Sequence, residues 1–168
     1  MEQSQNIKTI STIVVIVLVL GVGYLFLGKS NAPGKINSRV SSDNNGQKPM
    51  DVVVEKASVV NGTLSVPAGF PQDIPLERGG VLDGATTQYP GKNAKQFSIS
   101  YKSSKTVTEK YTEYKNYMTK AGYSVTEGGA NYPVRSLFGT SNDINLSVAI
   151  SKSDGKTLIQ LSVLLKSI

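Results

Sequence analysis

Ile144–Leu165 reads INLSVAISKSDGKTLIQLSVLL, two alternating apolar–polar runs on either side of an Asp154-Gly155 pair. Asp-Gly between alternating hydrophobics is the signature of a two-residue type I′ hairpin, whose central residues both take positive φ. Such a turn sets the register. Ile150 then faces Ile159, Val148 faces Leu161, Leu146 faces Val163, and Ile144 faces Leu165. All four pairs are apolar and share one face, so a slip of one residue would turn the whole set towards water. A hairpin of this kind needs a layer to cover that face.

The cover is written upstream. Thr106-Val107-Thr108-Glu109 has the form of a capping box, with Thr106 bonding forward to the third amide and Glu109 reaching back. Val107, Tyr111, Tyr114, Met118 and Ala121 follow at spacings of four and three, which place them along one helical face. Glu109, Lys110, Glu113, Asn116 and Lys120 are assigned to the opposite, solvated side, and Gly122 ends the helix in a left-handed cap. Tyr117 lies off the apolar stripe and is the tentative surface contact.

Val81–Gln88 and Lys95–Lys102 read as strands. In the second, Phe97, Ile99 and Tyr101 alternate with Gln96, Ser98 and Ser100, as a sheet with one buried face requires. Tyr89-Pro90-Gly91-Lys92-Asn93 between them is a turn. Tyr123–Glu127 resumes strand alternation, and Arg135–Thr140 reads as a short strand. The resulting order, β-β-α-β-(β)-β-β with short connections, predicts an α+β fold. Its antiparallel sheet carries one amphipathic helix on its apolar face.

Ahead of this lies VPAGFPQDIPLERGG, residues 66–80. Prolines at 67, 71 and 75 exclude regular helix and central strand. Phe70, Ile74 and Leu76 are expected to point inward from an extended strap. Residues 51–66 are β-rich, and Asn61-Gly62 marks a hairpin that sets Val59 against Leu64 and Ala57 against Val66. This segment either joins the main sheet or forms a separate flap. Residues 29–50, KSNAPGKINSRVSSDNNGQKPM, carry few apolar residues and read as a flexible tether. The expected boundaries are a short tail over 1–8, a linker with a possible short hairpin over 29–62, and the folded domain over 63–168.

Thr9–Gly28, TISTIVVIVLVLGVGYLFLG, carries no charge and lies between Lys8 and Lys29. As a helix it rises roughly 30 Å, the thickness of a bilayer's hydrocarbon core, so it is expected to span a membrane. Its apolar run is longer than that of a cleaved signal peptide, which favours a retained signal anchor. Flanking charge does not favour a cytoplasmic N-terminus, because Lys29, Lys35 and Arg39 follow the span. The shortness of the tail and the spacer-like region after the span favour a C-terminal domain outside the cell.

The chain carries 18 Lys and Arg against 12 Asp and Glu, a formal charge of +6, and has no Cys or His. Disulfides, thiolate and imidazole metal sites, and Ser-His or Cys-His catalysis are therefore absent. Such a cysteine-free exported domain points to a prokaryotic cell surface. No metal, cofactor or nucleic-acid signature emerges. Asp73, Glu77 and Asp83 are the nearest group of carboxylates, with no phosphate loop or calcium loop beside them.

Phe70-Pro71-Gln72-Asp73-Ile74-Pro75-Leu76 resembles F-P-x-D-[IV]-P-[LI]-Y-P-G, and Tyr114-Lys115-Asn116-Tyr117-Met118-Thr119-Lys120-Ala121-Gly122-Tyr123 resembles F-Y-K-x-x-L-x-x-x-G-W. Both patterns occur in a diffuse group of uncharacterised membrane-anchored bacterial and archaeal proteins. The likeness covers residues 66–168 and departs at Glu77-Arg78, where the group has Tyr-Pro, and at Tyr123, where Trp is commoner. It implies a surface-located small α+β domain and brings no catalytic residues. The function expected is that of a single-pass, membrane-anchored extracytoplasmic binding domain. Its partners are the bilayer through residues 9–28 and a protein or anionic envelope polymer. The alternatives are a structural or self-assembling cell-surface subunit and a small envelope hydrolase.

Overall fold

The computed structural model describes residues 35–40, 50–60, 63–129 and 133–166, all within one unit, Pro33–Ile168. Its elements are β1 (Lys35–Val40), β2 (Met50–Lys56), β3 (Val59–Val60), β4 (Thr63–Leu64), β5 (Val81–Tyr89), β6 (Ala94–Ser103), α1 (Val107–Lys120), β7 (Ser124–Gly128), β8 (Val134–Thr140), β9 (Ile144–Ser153) and β10 (Lys156–Lys166). Eight strands form one antiparallel sheet in the order β1-β2-β5-β6-β10-β9-β8-β7, and β3 with β4 makes a separate two-stranded flap. The described residues are thus mostly antiparallel sheet with one α-helix, an α+β fold. The expected span 9–28 and tail 1–8 lie outside the described residues. Among the described residues no helix is long and apolar enough to cross a membrane.

The β9–β10 hairpin pairs Ile150 with Ile159, Val148 with Leu161, Leu146 with Val163 and Ile144 with Leu165, the register set by its turn. Asp154 and Gly155 take φ of 50° and 73°, the mirror-image turn that matches strand twist. Helix α1 carries the capping box, Thr106 accepting from the Glu109 amide while the Glu109 carboxylate accepts from the Thr106 amide. At its other end the Gly122 amide donates to the Thr119 carbonyl and the Tyr123 amide to the Met118 carbonyl. That is a Schellman closure, with Gly122 at φ 77°.

One face of the sheet holds the core. Phe97, Ile99 and Tyr101 of β6, Ile159, Leu161 and Val163 of β10, and Leu146, Val148 and Ile150 of β9 are all buried there. Helix α1 covers the β7–β9 half through Tyr111, Tyr114 and Met118. The proline-rich strap covers the β5–β6 half, with Phe70 and Ile74 buried and the Phe70 ring edge-on to Phe97 at 6.0 Å. Its course is turns followed by a short 3-10 helix, Arg78–Gly80, rather than one continuous extended run.

Two expectations are corrected by the sheet. Residues 35–40 and 50–56, assigned to a linker over 29–62, are β1 and β2, and β2 pairs with β5 from Val53–Gln88 to Lys56–Ala85. The sheet therefore begins ahead of residue 63. Ladder bonds are made by backbone, so an edge strand such as KINSRV can pair without the apolar content that marks a core strand. Residues 51–66 do both things held open for them: β2 enters the main sheet, and Val59 meets Leu64 in the flap. Strand pairing in the flap stops at Val59–Leu64, short of Ala57 and Val66. The Ser65 amide donates to the Ser58 carbonyl, the next pair in the same register, and the Ala57 amide donates to the Gly84 carbonyl of β5 at 2.7 Å.

Candidate functional site

The polar side chains of the covered face gather where strap, helix and sheet meet. Lys110 is fully buried, which corrects its assignment to the solvated side of α1. By position it lies three residues from Val107 and four from Tyr114, on the apolar stripe; only its charge suggested water. Its ammonium donates to Glu113 at 2.9 Å and to Glu77 of the strap at 3.3 Å. It also sits 5.3 Å and 5.1 Å from the ring centroids of Tyr101 and Tyr114, close enough for cation–π attraction. Burial works against the ammonium, and the Tyr101 hydroxyl and Glu113 carboxylate outweigh it, so the Lys110 pKa stands above its ordinary value. Burial likewise opposes the Glu113 carboxylate, but Lys105 and Lys110 hold its pKa below the ordinary value.

Around this cation the hydroxyls are in use. Tyr101 and Tyr114 share a hydrogen bond of 2.8 Å, and Tyr114 also reaches the Pro75 carbonyl at 2.6 Å. Burial first, then Tyr101, drives the Tyr114 pKa strongly upward. Ser103 donates to the Glu77 carboxylate at 2.7 Å. The cluster is closed to solvent at its centre and joins three segments distant in sequence, so its chemistry is that of a fastener.

Tyr117, the tentative surface contact, is half-buried. Its hydroxyl donates to Asp73 of the strap at 2.6 Å, and its ring lies against Tyr123. The two stretches that carried the family resemblance are thereby joined to each other. In the first half of the helix and its middle, Tyr111 donates to Glu127 of β7, Lys115 pairs with the same carboxylate at 2.7 Å, and the Arg135 guanidinium stacks on the Tyr111 ring at 3.5 Å. Asp73, Glu77 and Asp83 do not converge on a cleft. Asp73 is held by Tyr117, Glu77 by Lys110 and Ser103, and Asp83 accepts from the Gly84 amide. Among the described residues no group of three or more His, Cys, Asp or Glu comes together as a metal site.

The opposite face of the sheet has a different character. Alternation places Ser98 and Ser100 of β6, Gln160 and Ser162 of β10, Ser147 and Ala149 of β9, and Ser136 of β8 there, and register sets Ser98, Ser162 and Ser147 side by side on adjacent strands. Among the described residues no helix packs over this face. Tyr89 folds onto it at the β5–β6 turn, donating to the Gln96 side chain, which donates in turn to Ser162. A recess of about 130 Å³ lined by Gln88, Tyr89, Pro90, Asn93, Ala94 and Lys95 lies beside that turn. It is smaller than the roughly 300–1,000 Å³ typical of small-molecule sites. The face is mixed: its centre is rich in serine, Ser162 is buried there beneath the Gln96 side chain, and Phe138 of β8 and Leu158 and Leu164 of β10 share the face by the same alternation. The alternation of β6, β9 and β10 is visible in the sequence, but Ser and Thr outside a catalytic motif carry no chemical signature that would mark the face.

Comparison with known protein families, with curated proteins and with solved structures finds no match to this chain.

Proposed function

We propose that the chain is a single-pass membrane protein, anchored by residues 9–28, whose α+β head is an extracytoplasmic binding domain rather than an enzyme. The observation that carries the binding reading is the uncovered sheet face, where Ser98 and Ser147 on neighbouring strands flank β10 and Phe138 lies beside Ser147. Small hydroxyls and amides offer donors and acceptors at strand spacing, about 4.8 Å across the sheet, which suits an extended polar partner. The net charge of +6 favours an anionic one, whether an envelope polymer or a protein surface. The length and neutrality of Thr9–Gly28 support the anchor. The motif likeness of residues 66–168 supports the surface location.

The test is proximity labelling from the head of the full chain in its native membrane, run on wild type and on Ser98→Glu/Ser147→Glu. Labelling of envelope components that falls at least tenfold in the double variant supports the reading. Labelling confined to cytoplasmic proteins would overturn the orientation, and unchanged labelling in the variant would overturn the choice of face.

A further inference from the structure

The sheet has two edges, and they are built differently. One edge is strand β1, of sequence KINSRV. Strand β7 is SVTEG. It has no lysine, arginine or proline, and its register with β8 runs unbroken from Ser124–Thr140 to Gly128–Ser136, with no bulge to twist it away. It pairs with β8 alone, so the outward backbone groups of alternate residues have no strand partner among the described residues. Ser124, Thr126 and Glu127 are exposed.

This edge is also held ready. Val125 packs against the core, the Tyr123 amide is bonded to the Met118 carbonyl, and Glu127 is tied to Lys115 and Tyr111 on the helix side. The one charge of β7 is thus turned onto α1 and does not guard the edge. A strand docking here meets a preformed ladder and does not have to order it.

We infer that β7 is a homodimer edge, taking β7 of a second copy antiparallel about a two-fold axis at Thr126. The sequence is self-complementary in that arrangement. Ser124 faces Gly128, Val125 faces Glu127, and Thr126 faces Thr126, so no like charges stand opposite and a threonine pair marks the centre. The contact is isologous and closes on itself. The sheets and their uncovered faces become continuous across the pair. A five-residue ladder buries less than the roughly 1,200 Å² of a stable interface, so the pair is weak when dilute and gains from confinement of both copies to one membrane. The pairing itself does not depend on what the uncovered face binds.

The cysteine-free sequence makes the test direct. The full chain in detergent micelles or liposomes carries Thr126→Cys or, on the other edge, Asn37→Cys, and is mildly oxidised. Disulfide dimer is expected to form at least tenfold faster at position 126, where facing Cβ atoms come within reach of a bridge. Without any cysteine, light scattering on wild type is expected to show monomer passing to dimer as protein per micelle rises. Thr126→Lys, which sets two ammonium groups face to face, is expected to stay monomeric with an unchanged melting temperature. Equal cross-linking rates at the two edges, or wild type monomeric at every loading, would overturn the inference; the second result would assign the edge to a strand of another protein.

Discussion

Replacing Lys110 separates packing from charge at the junction of strap and helix. Lys110→Ala removes three buried methylenes, about 2.4 kcal/mol at ~0.8 kcal/mol each. It also removes a desolvated cation over two rings, worth about 1–2 kcal/mol. Glu77 and Glu113 keep 38% and 28% of their side-chain surface exposed and can rehydrate, so the penalty of about 3–5 kcal/mol for stranding a fully buried charge applies only in part. The loss expected is about 4 kcal/mol. Lys110→Met keeps most of the stem and forfeits the charge, and is expected to cost about 1–2 kcal/mol, since an apolar isostere often replaces a buried ion with little loss. Urea unfolding of the full chain in detergent, followed by far-UV circular dichroism and tyrosine fluorescence, gives both values. An Ala variant within about 0.5 kcal/mol of wild type would refute the keystone role. A Met variant as damaged as Ala would show that charge, not packing, dominates.

Tyr117→Phe deletes the bond to Asp73 and is expected to cost about 1 kcal/mol, read as a lowered urea midpoint; no change would mean that the strap is held without it. Stability should be flat from about pH 5 to pH 10. Below that window it falls, because Glu113 has a lowered pKa when folded and the unfolded chain takes up the proton near the ordinary carboxyl value of 4.5. Above the window it falls again, because Tyr101, Tyr114 and Lys110 have raised pKa values and only the unfolded chain releases their protons near 10.0 to 10.5. A melting series across pH checks both limbs, and a rise in stability above pH 10 would contradict the cluster. Gly155→Ala forces a β-carbon into a φ of 73° and is expected to cost about 1–2 kcal/mol, measured by thermal melting against wild type.

Much of the fold was legible because its elements obey local rules. Asp154-Gly155 set the register of β9 and β10, Thr106 and Glu109 marked the start of α1, Gly122 marked its end, and Phe70 and Ile74 alternated inward from the strap. What was not legible depended on partners far away in sequence. Strand β1 carries the composition of a linker, and β2, though β-rich, finds its place only against the free edge of β5. Lys110 has the spacing of a core residue and the charge of a surface one; the conflict resolves only when Glu77 and the rings of Tyr101 and Tyr114 are in place. Tyr117 was legible as an outlier from the stripe, but its partner Asp73 lies on a segment with no periodicity to align. The serine-rich centre of the uncovered face was present in the alternation all along and lacked any residue type that announces a task.

Strand β10 follows every other described strand along the chain and yet lies between β6 and β9. Until it leaves the ribosome, the half-sheet β1-β2-β5-β6 and the half-sheet β9-β8-β7 share no ladder. A nascent domain therefore stays open until β10 is available, and its two half-sheets join only then. A chain stopped ahead of residue 156 would hold two unjoined halves for proteases to clear, so the wedge strand makes closure of the sheet depend on its own synthesis.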